Sequence, residues 1–291
     1  MTADSTLFLS RARGLIREVL PRVREGCGDP HGSVQTKRDG SLVTPSDTYV
    51  ERTLKQGLSE IFVGVPILAE ESAIDLTGEE QVSADTVYSQ FFGARSQITI
   101  DPIDGTRNFV DGRREYCIAA SLSVPRGGGI WPIAGVVAVP YYGLMYWCDE
   151  TNVWVEDTNS GEISPLTRAA SAQSALSVSS RDRAWLESRK IRLQLPWESS
   201  GSSVFDLVGT LTGRLSASIV GAQRLWDVMA PIAMAHRVGL VLRDLETGGP
   251  ITSISMSDLS TDIASRPWGL ERRMVLAPPG LSLAALIDPA P

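Results

Sequence analysis

Leu7, Leu9, Ala12, Leu15, Ile16, Val19 and Leu20 recur every one to three places between basic residues, which predicts an amphipathic helix over residues 7–23 that ends near Pro21. The same period returns over 46–62, where Ser46 or Asp47 is placed to cap a second helix. Alternation and short apolar runs then predict strands around Ile67 and Ile98 and over 118–124, 133–139, 144–148 and 153–155. The polar stretch 157–162 is the candidate linker. Beyond it the pattern predicts a strand at 175–179, a helix and connection over 181–193, and a helix over 203–211 after a Gly-Ser loop. A strand at 215–220, a helix over 231–238 stopped by Gly239 and a strand at 240–242 follow. Strands and helices mixed in this order predict layered sheets covered by helices, with the halves 1–157 and 158–291 packed as one compact unit.

Residues 130–147 carry no charge and are long enough to suggest a membrane span. Pro132, Gly135, Pro140 and Gly143 would break a helix there, and two apolar runs flank Pro140-Tyr-Tyr-Gly143. A buried hairpin is the expectation, and no membrane partner. The chain's 291 residues are 43% hydrophobic and 21% charged, an ordinary globular composition long enough for a large core. A formal charge of −7 with no lysine–arginine run argues against a nucleic-acid polymer as partner. Cys27, Cys117 and Cys148 lie far apart and are odd in number, so reduced thiols are expected rather than a disulfide framework. The first residues show no basic region followed by an apolar stretch, which makes the cytoplasm the expected location.

The chemistry concentrates in Asp101-Pro-Ile-Asp104-Gly-Thr106, two carboxylates three residues apart where a strand runs into a helix. Gly105 and Thr106 offer amides and a hydroxyl suited to phosphate, and a phosphate dianion tolerates nearby carboxylates only with divalent cations between them. Pro102 disfavours helix at Asp101, so a turn that splays the two aspartates and aims the Ile103 carbonyl inward is expected. Two further acidic features, Glu70-Glu71-Ser72 and Trp226-Asp227, each end an apolar run and are placed to converge on the same point. Plainer roles compete: Asp104 and Asp227 as helix caps, Asp47 as another, and Glu70-Glu71 as a solvated pair. Because Pro231 suits the first helical position, the last helix is expected to begin near Ala230, leaving Asp227 in a loop free to bind metal.

Taken together and in order, Glu70-Glu71-Ser72, Asp101-Pro-Ile-Asp-Gly-Thr-Arg-Asn-Phe109 and Trp226-Asp227 closely resemble the three signatures of the inositol monophosphatase family of metal-dependent, lithium-sensitive phosphatases. The segment from Lys37 to Asp47 looks like the family's N-terminal motif, Thr247-Gly-Gly-Pro250 like its late turn, and 274–287 like its closing strand and helix. The resemblance implies an alternating five-layer α/β/α/β/α sandwich and a homodimer. It implies Glu70, Asp101, the Ile103 carbonyl, Asp104 and Asp227 as ligands of two Mg²⁺ ions, with Mn²⁺ as a possible substitute. Asp47 with Thr106 would orient and deprotonate water, and Asp47 with Glu71 would help hold a third, looser ion. The substrate implied is a small-molecule phosphate ester, held by Gly105, Thr106 and the loop matching Gly201-Ser202-Ser203. The carboxylate that binds an inositol hydroxyl falls on Val220, and Ser216 replaces an Asp of that region, which weakens the expectation of a polyol. Histidinol phosphate, 3′-phosphoadenosine nucleotides and other sugar phosphates are the alternatives within the superfamily, and a catalytically silent binding or regulatory protein is the alternative outside it. Arg107 and Arg224 are either contacts for a second phosphate or carboxylate, or ordinary solvated arginines.

Overall fold

The computed structural model describes residues 3–29, 32–37, 39–74, 83–169, 175–263 and 265–288. Helices α1 (Ala3–Gly26) and α2 (Pro45–Ser59) flank a small antiparallel hairpin, β1 (Gln35–Thr36) and β2 (Leu42–Val43). A seven-stranded sheet follows: β3 (Ile67–Ala69), β4 (Gln97–Asp104), β5 (Cys117–Arg126), β6 (Gly129–Val139), β7 (Leu144–Cys148), β8 (Val153–Asp157) and β9 (Ile163–Pro165), standing in space in chain order. Among the described strands of this sheet only β3 and β4 pair parallel, and that pair needs a crossover, which carries α3 (Glu70–Ile74) and α4 (Ala84–Phe92). The short α5 (Thr106–Val110) leaves the end of β4.

The second sheet has five strands in the order β12 (Trp197–Glu198), β10 (Leu176–Val178), β13 (Ala217–Val220), β15 (Met274–Ala277) and β14 (Val241–Asp244). Helices α6 (Ser180–Ser188), α7 (Ser203–Thr212) and α8 (Leu225–Ala235) complete this half, and β11 (Arg192–Leu193) pairs with β16 (Ile287–Asp288).

Three apolar clusters define five layers. Phe8, Ile16 and Leu54 of α1 and α2 pack on Ile98, Ile100, Ile118 and Val136 of the first sheet. Its other face, with Cys117, Ala119 and Val137, packs on Leu207, Val228, Met229 and Ile232 of α7 and α8, which also cover Val220, Leu242 and Leu276 of the second sheet. Leu186 of α6 closes the outer face over Leu176, Ile219 and Val275. The alternation along β5 and the second half of β6 sends neighbouring residues to opposite clusters, the two-residue period of a sheet buried on both faces. At Gly135 a Cβ would lie 2.5 Å from the carbonyl oxygen of Ala230, so α8 rests directly on β6 only because that residue is glycine. The uncharged run folds as the expected hairpin, β6 and β7 joined through Pro140–Tyr142 and a left-handed Gly143. No helix among the described residues is long and apolar enough to cross a membrane.

Several boundaries differ from the sequence reading, each for a local reason. Pro21 lies inside α1 near its end, where the one missing N–H removes a single hydrogen bond from a helix anchored by a buried face. The stretch 157–162 is a hairpin connection rather than a linker: Asp157 N donates to Glu162 O at 2.9 Å, and β9 adds to the first sheet. The C-terminal segment gives strand β15 but only a single 3₁₀ turn at Leu283–Ala285, where a helix was expected. The cap of α2 is Thr44, not Ser46 or Asp47.

Candidate active site

The two central aspartates do not splay at a turn; they converge through a β-bulge. Asp101 lies opposite Ala119 and Asp104 opposite Cys117, so three steps along β4 match two along β5. The extra residue reverses the alternation that would send positions 101 and 104 to opposite faces, and it sits at Pro102-Ile103, where proline has no ladder hydrogen to lose. Asp227 arrives from the far side on the first turn of α8. That helix begins at Leu225, not near Ala230, and Asp227 Oδ2 accepts the Arg224 amide at 2.9 Å in a capping arrangement. Pro231 is therefore inside the helix, where it withholds a hydrogen bond from the carbonyl of Asp227 four residues back. Capping and clustering coexist, because the cap uses one carboxylate oxygen and leaves the other.

One oxygen from each of Asp101, Asp104 and Asp227 lies within 4.8 Å of the others. Asp101 is 1% exposed, and no hydrogen-bond donor of the described residues reaches either of its oxygens. A carboxylate buried in this way is stable only when protonated or when a cation sits against it. The donor set is all oxygen, which suits a hard divalent cation such as Mg²⁺ rather than a thiophilic one. The residues thus fit a metal.

Asp104 is held more firmly. Its Oδ2 accepts from the Ser202 hydroxyl and from the Val204 amide at 2.7 Å, so the start of α7 orients it. Ser202, expected as a substrate contact, spends its proton on Asp104 and caps α7 by accepting the Phe205 amide. Gly105 has φ +84° and a Cβ there would meet the Glu115 carbonyl oxygen and Ser202 Cβ, both at 2.9 Å, so only glycine lets β4 turn into α5 beneath the Ser202 loop.

Thr106 and Asp47 come together as expected. Asp47, buried at the third position of α2, accepts from Thr44 N at 2.8 Å and Thr44 Oγ1 at 2.5 Å with Oδ2. Its Oδ1 faces Thr106 Oγ1 at 3.3 Å, and that hydroxyl also lies 3.0 Å from the Ile103 carbonyl. Glu70, Asp101, Ile103, Asp104, Thr106 and Asp227 line one cleft of about 250 Å³. Glu71 does not line it: its carboxylate and that of Glu70 are both bound by Lys37 Nζ, at 2.8 and 2.7 Å. Burial alone would lower the Lys37 ammonium pKa, but the two glutamates outweigh it and hold it above the usual range.

Three supporting residues escaped the sequence reading. Glu51 accepts the Glu71 and Ser72 amides at 2.7 and 2.9 Å and so fixes the first turn of α3. Its position four residues after Asp47, on the same helical face, was the available signal. Lys37 stood in the N-terminal motif without a role, and Asp39 at the hairpin tip pairs with Arg224 at 2.9 Å, a contact across 185 residues that no local pattern announces.

Desolvation dominates the titration of these acids. Burial, followed by the charges of Glu70, Asp104 and Asp227, pushes Asp101 well above the ordinary carboxylate range. Burial, with Asp104 the next largest cause, raises Asp227 to about 8, and burial raises Asp104 and Asp47 to about 6 against the donors that oppose it. In the metal-free state the folded chain therefore keeps protons that the unfolded chain has released. Its stability is expected to be fullest below the ordinary value of 3.8 and to fall as pH rises through about 8. Mg²⁺ should raise the thermal midpoint more at about pH 8 than at about pH 5, since bound metal replaces those protons. A midpoint in chelator that stays flat or climbs across this interval would contradict the clustering.

The comparisons with known proteins agree with the geometry. The 3′(2′),5′-bisphosphate nucleotidase CysQ of Escherichia coli K12 is 29% identical over 222 residues, covering 75% of this chain and 82% of that protein. The inositol-1-monophosphatase SuhB of Mycobacterium tuberculosis H37Rv is 30% identical over 249 residues, covering 82% and 79%. Among solved structures, inositol monophosphatase II of Staphylococcus aureus superposes with a TM-score of 0.64 at 19% identity over 95% of this chain and 93% of its own. Thermotoga maritima IMPase gives 0.64 at 18% identity over 92% and 91%. The five-layer sandwich is thus this fold. The family model for inositol monophosphatases matches residues 4–285, a range that includes the bulged strand and the helix start carrying the three aspartates, and the chain belongs to the inositol monophosphatase family.

Proposed function

We propose that this phosphatase hydrolyses a small-molecule phosphomonoester in the cleft between β4 and α8, with Mg²⁺ as its physiological metal. The observation that carries the reading is Asp101: two oxygens, buried and met by no protein donor, inside a cluster of three carboxylates. Glu70, Asp101, the Ile103 carbonyl, Asp104 and Asp227 would hold the ions. Bound there, divalent cations supply positive charge for the phosphoryl oxygens and acidify water. The chain's own residues do the rest. Asp47, pushed up to about 6 by burial, accepts a proton through the Thr106 hydroxyl, which lies within reach of both it and the cleft. Ser202 and Val204 keep Asp104 from turning away, and Lys37 holds Glu70 and Glu71 while no ion does. Gly105, Thr106 and Gly201 border the cleft where the phosphoryl group would sit. Glu71 would act at one remove, on a third and looser ion. The two halves work as one unit, in the cytoplasm, as a homodimer.

Phosphate release from inositol 1-phosphate, histidinol phosphate, fructose 1,6-bisphosphate and 3′-phosphoadenosine 5′-phosphate, each with Mg²⁺ and with chelator, tests the reading. Release from at least one ester that disappears in chelator and falls in tens of millimolar Li⁺, roughly the range where exposed charges are only partly screened, is expected. Release indifferent to chelator would defeat it.

A further inference from the structure

We infer that the ester hydrolysed here carries a second anionic group, a phosphate or a carboxylate, and that Arg107 and Arg181 receive it at the junction between the acid-lined cleft and its larger neighbour. The inference rests on the phosphatase reading and narrows its substrate. The neighbour is a cavity of about 540 Å³ between α6, α7 and β13, and it shares Arg107, Arg181, Gly201, Arg224 and Asp227 with the cleft. A substrate whose reacting phosphate lies at the aspartates must place its remaining part there.

The wall of that cavity is basic on a chain whose formal charge is −7. Arg107, Arg181 and Arg224 line it, and Arg266 and Arg273 stand behind. Arg224 is neutralised by Asp39 at 2.9 Å and Arg273 by Asp182 at 3.1 Å. Among the described residues Arg266 donates only to the backbone carbonyls of Gly221 and Leu270. Its guanidinium is held below the usual range, by burial first and then by Arg273, Arg224 and Arg181, so the positive charges are close enough to feel one another. Among the described residues the side chains of Arg107 and Arg181 have neither an ion pair nor a hydrogen bond, and both are exposed. Besides Asp227, the cavity holds the carboxylate of Asp206, whose Oδ2 accepts from Ser177 Oγ at 3.0 Å and the Ser200 amide at 3.2 Å and whose Oδ1 lies 3.8 Å from the Arg214 guanidinium. Val220 stands in the same wall without a polar atom. Two unpaired guanidiniums facing a serine-rich hollow match a multidentate anion far better than a neutral polyol.

The test is calorimetric binding to the full chain in Ca²⁺, so that affinity is read whether or not turnover occurs. Adenosine 3′,5′-bisphosphate is compared with adenosine 3′-monophosphate, and 3-phosphoglycerate with glycerol 3-phosphate. The doubly anionic member of at least one pair should bind about tenfold tighter or more, the effect of a charge-assisted contact, and the ratio should collapse toward one in the double variant Arg107→Gln, Arg181→Gln. A preference confined to the adenosine pair assigns a phosphate, and one confined to the glycerol pair a carboxylate. Ratios near one in the unaltered protein, or a ratio that survives the double variant, would overturn the inference. Absence of phosphate release in Mg²⁺ from these esters and from every ester of the panel above would instead strike the phosphatase reading, and the binding ratios would still decide the anion site.

Discussion

Asp101→Asn is expected to lower metal-dependent phosphate release by about a thousandfold or more while raising the thermal midpoint of the metal-free protein. The two effects have one cause. Asp101 is the deepest of the clustered acids, and no donor of the described residues satisfies it, so without metal its burial costs free energy. An amide of the same shape removes the charge and adds two N–H groups beside Asp104 and Asp227. A gain of about 1–2 kcal/mol is reasonable, which corresponds to roughly 2–8 °C for a chain of this size. With metal the balance reverses. Losing one anionic ligand removes several kcal/mol of charge stabilisation from ion and phosphoryl group together, and each 1.4 kcal/mol is about tenfold in rate. Asp104→Asn should lose activity similarly but gain little stability, because its carboxylate already has the Ser202 hydroxyl and the Val204 amide as donors. Differential scanning in chelator, paired with phosphate release in Mg²⁺, checks both. A destabilised Asp101→Asn protein that keeps its activity would remove Asp101 from the metal site.

Lys37→Met is expected to act mainly on the metal-free protein. Lys37 Nζ sits 2.7 Å from Glu70 and 2.8 Å from Glu71, with all three side chains largely buried. Breaking such a pair by removing one partner leaves uncompensated charge, at a cost of about 3 kcal/mol. Burial has already raised Glu71 to about 8, with Glu70 next among the causes, and the loss of Lys37 would drive it further. A midpoint lower by roughly 6–12 °C in chelator is expected, most of it restored at saturating Mg²⁺, which gives Glu70 another cation. Equal destabilisation with and without Mg²⁺ would mean that Lys37 is a structural contact and nothing more.

Residues whose neighbours in space are neighbours in sequence were readable from the chain alone. The amphipathic periods of α1 and α2, the β6–β7 hairpin and the longer strands along the chain followed from spacing and turn residues. The aspartates that cluster were marked by their acidic motifs and by the family resemblance those motifs carry. What the chain hid depends on competition between local and distant forces. Pro21 reads as the end of one helix and Pro231 as the start of another, but both lie inside, where a buried apolar face outweighs one missing hydrogen bond. The bulge at Pro102-Ile103 resembles a turn in sequence because both need a residue that gives up its ladder hydrogen; only pairing with β5 distinguishes them. Ser202 entered as a substrate contact through the loop that the resemblance supplies, and its bond to Asp104, which spans 98 residues, is written in no local pattern. The Asp39–Arg224 pair was invisible for the same reason.

Diffraction from crystals grown in Mn²⁺, recorded at the manganese absorption edge, tests the metal cluster most directly. Anomalous peaks among the oxygens of Asp101, Asp104 and Asp227, with Glu70 released from Lys37 to join them, are the expected result. Mn²⁺ bound elsewhere on the chain, with those three carboxylates free of any ion at a concentration that supports phosphate release, would contradict it.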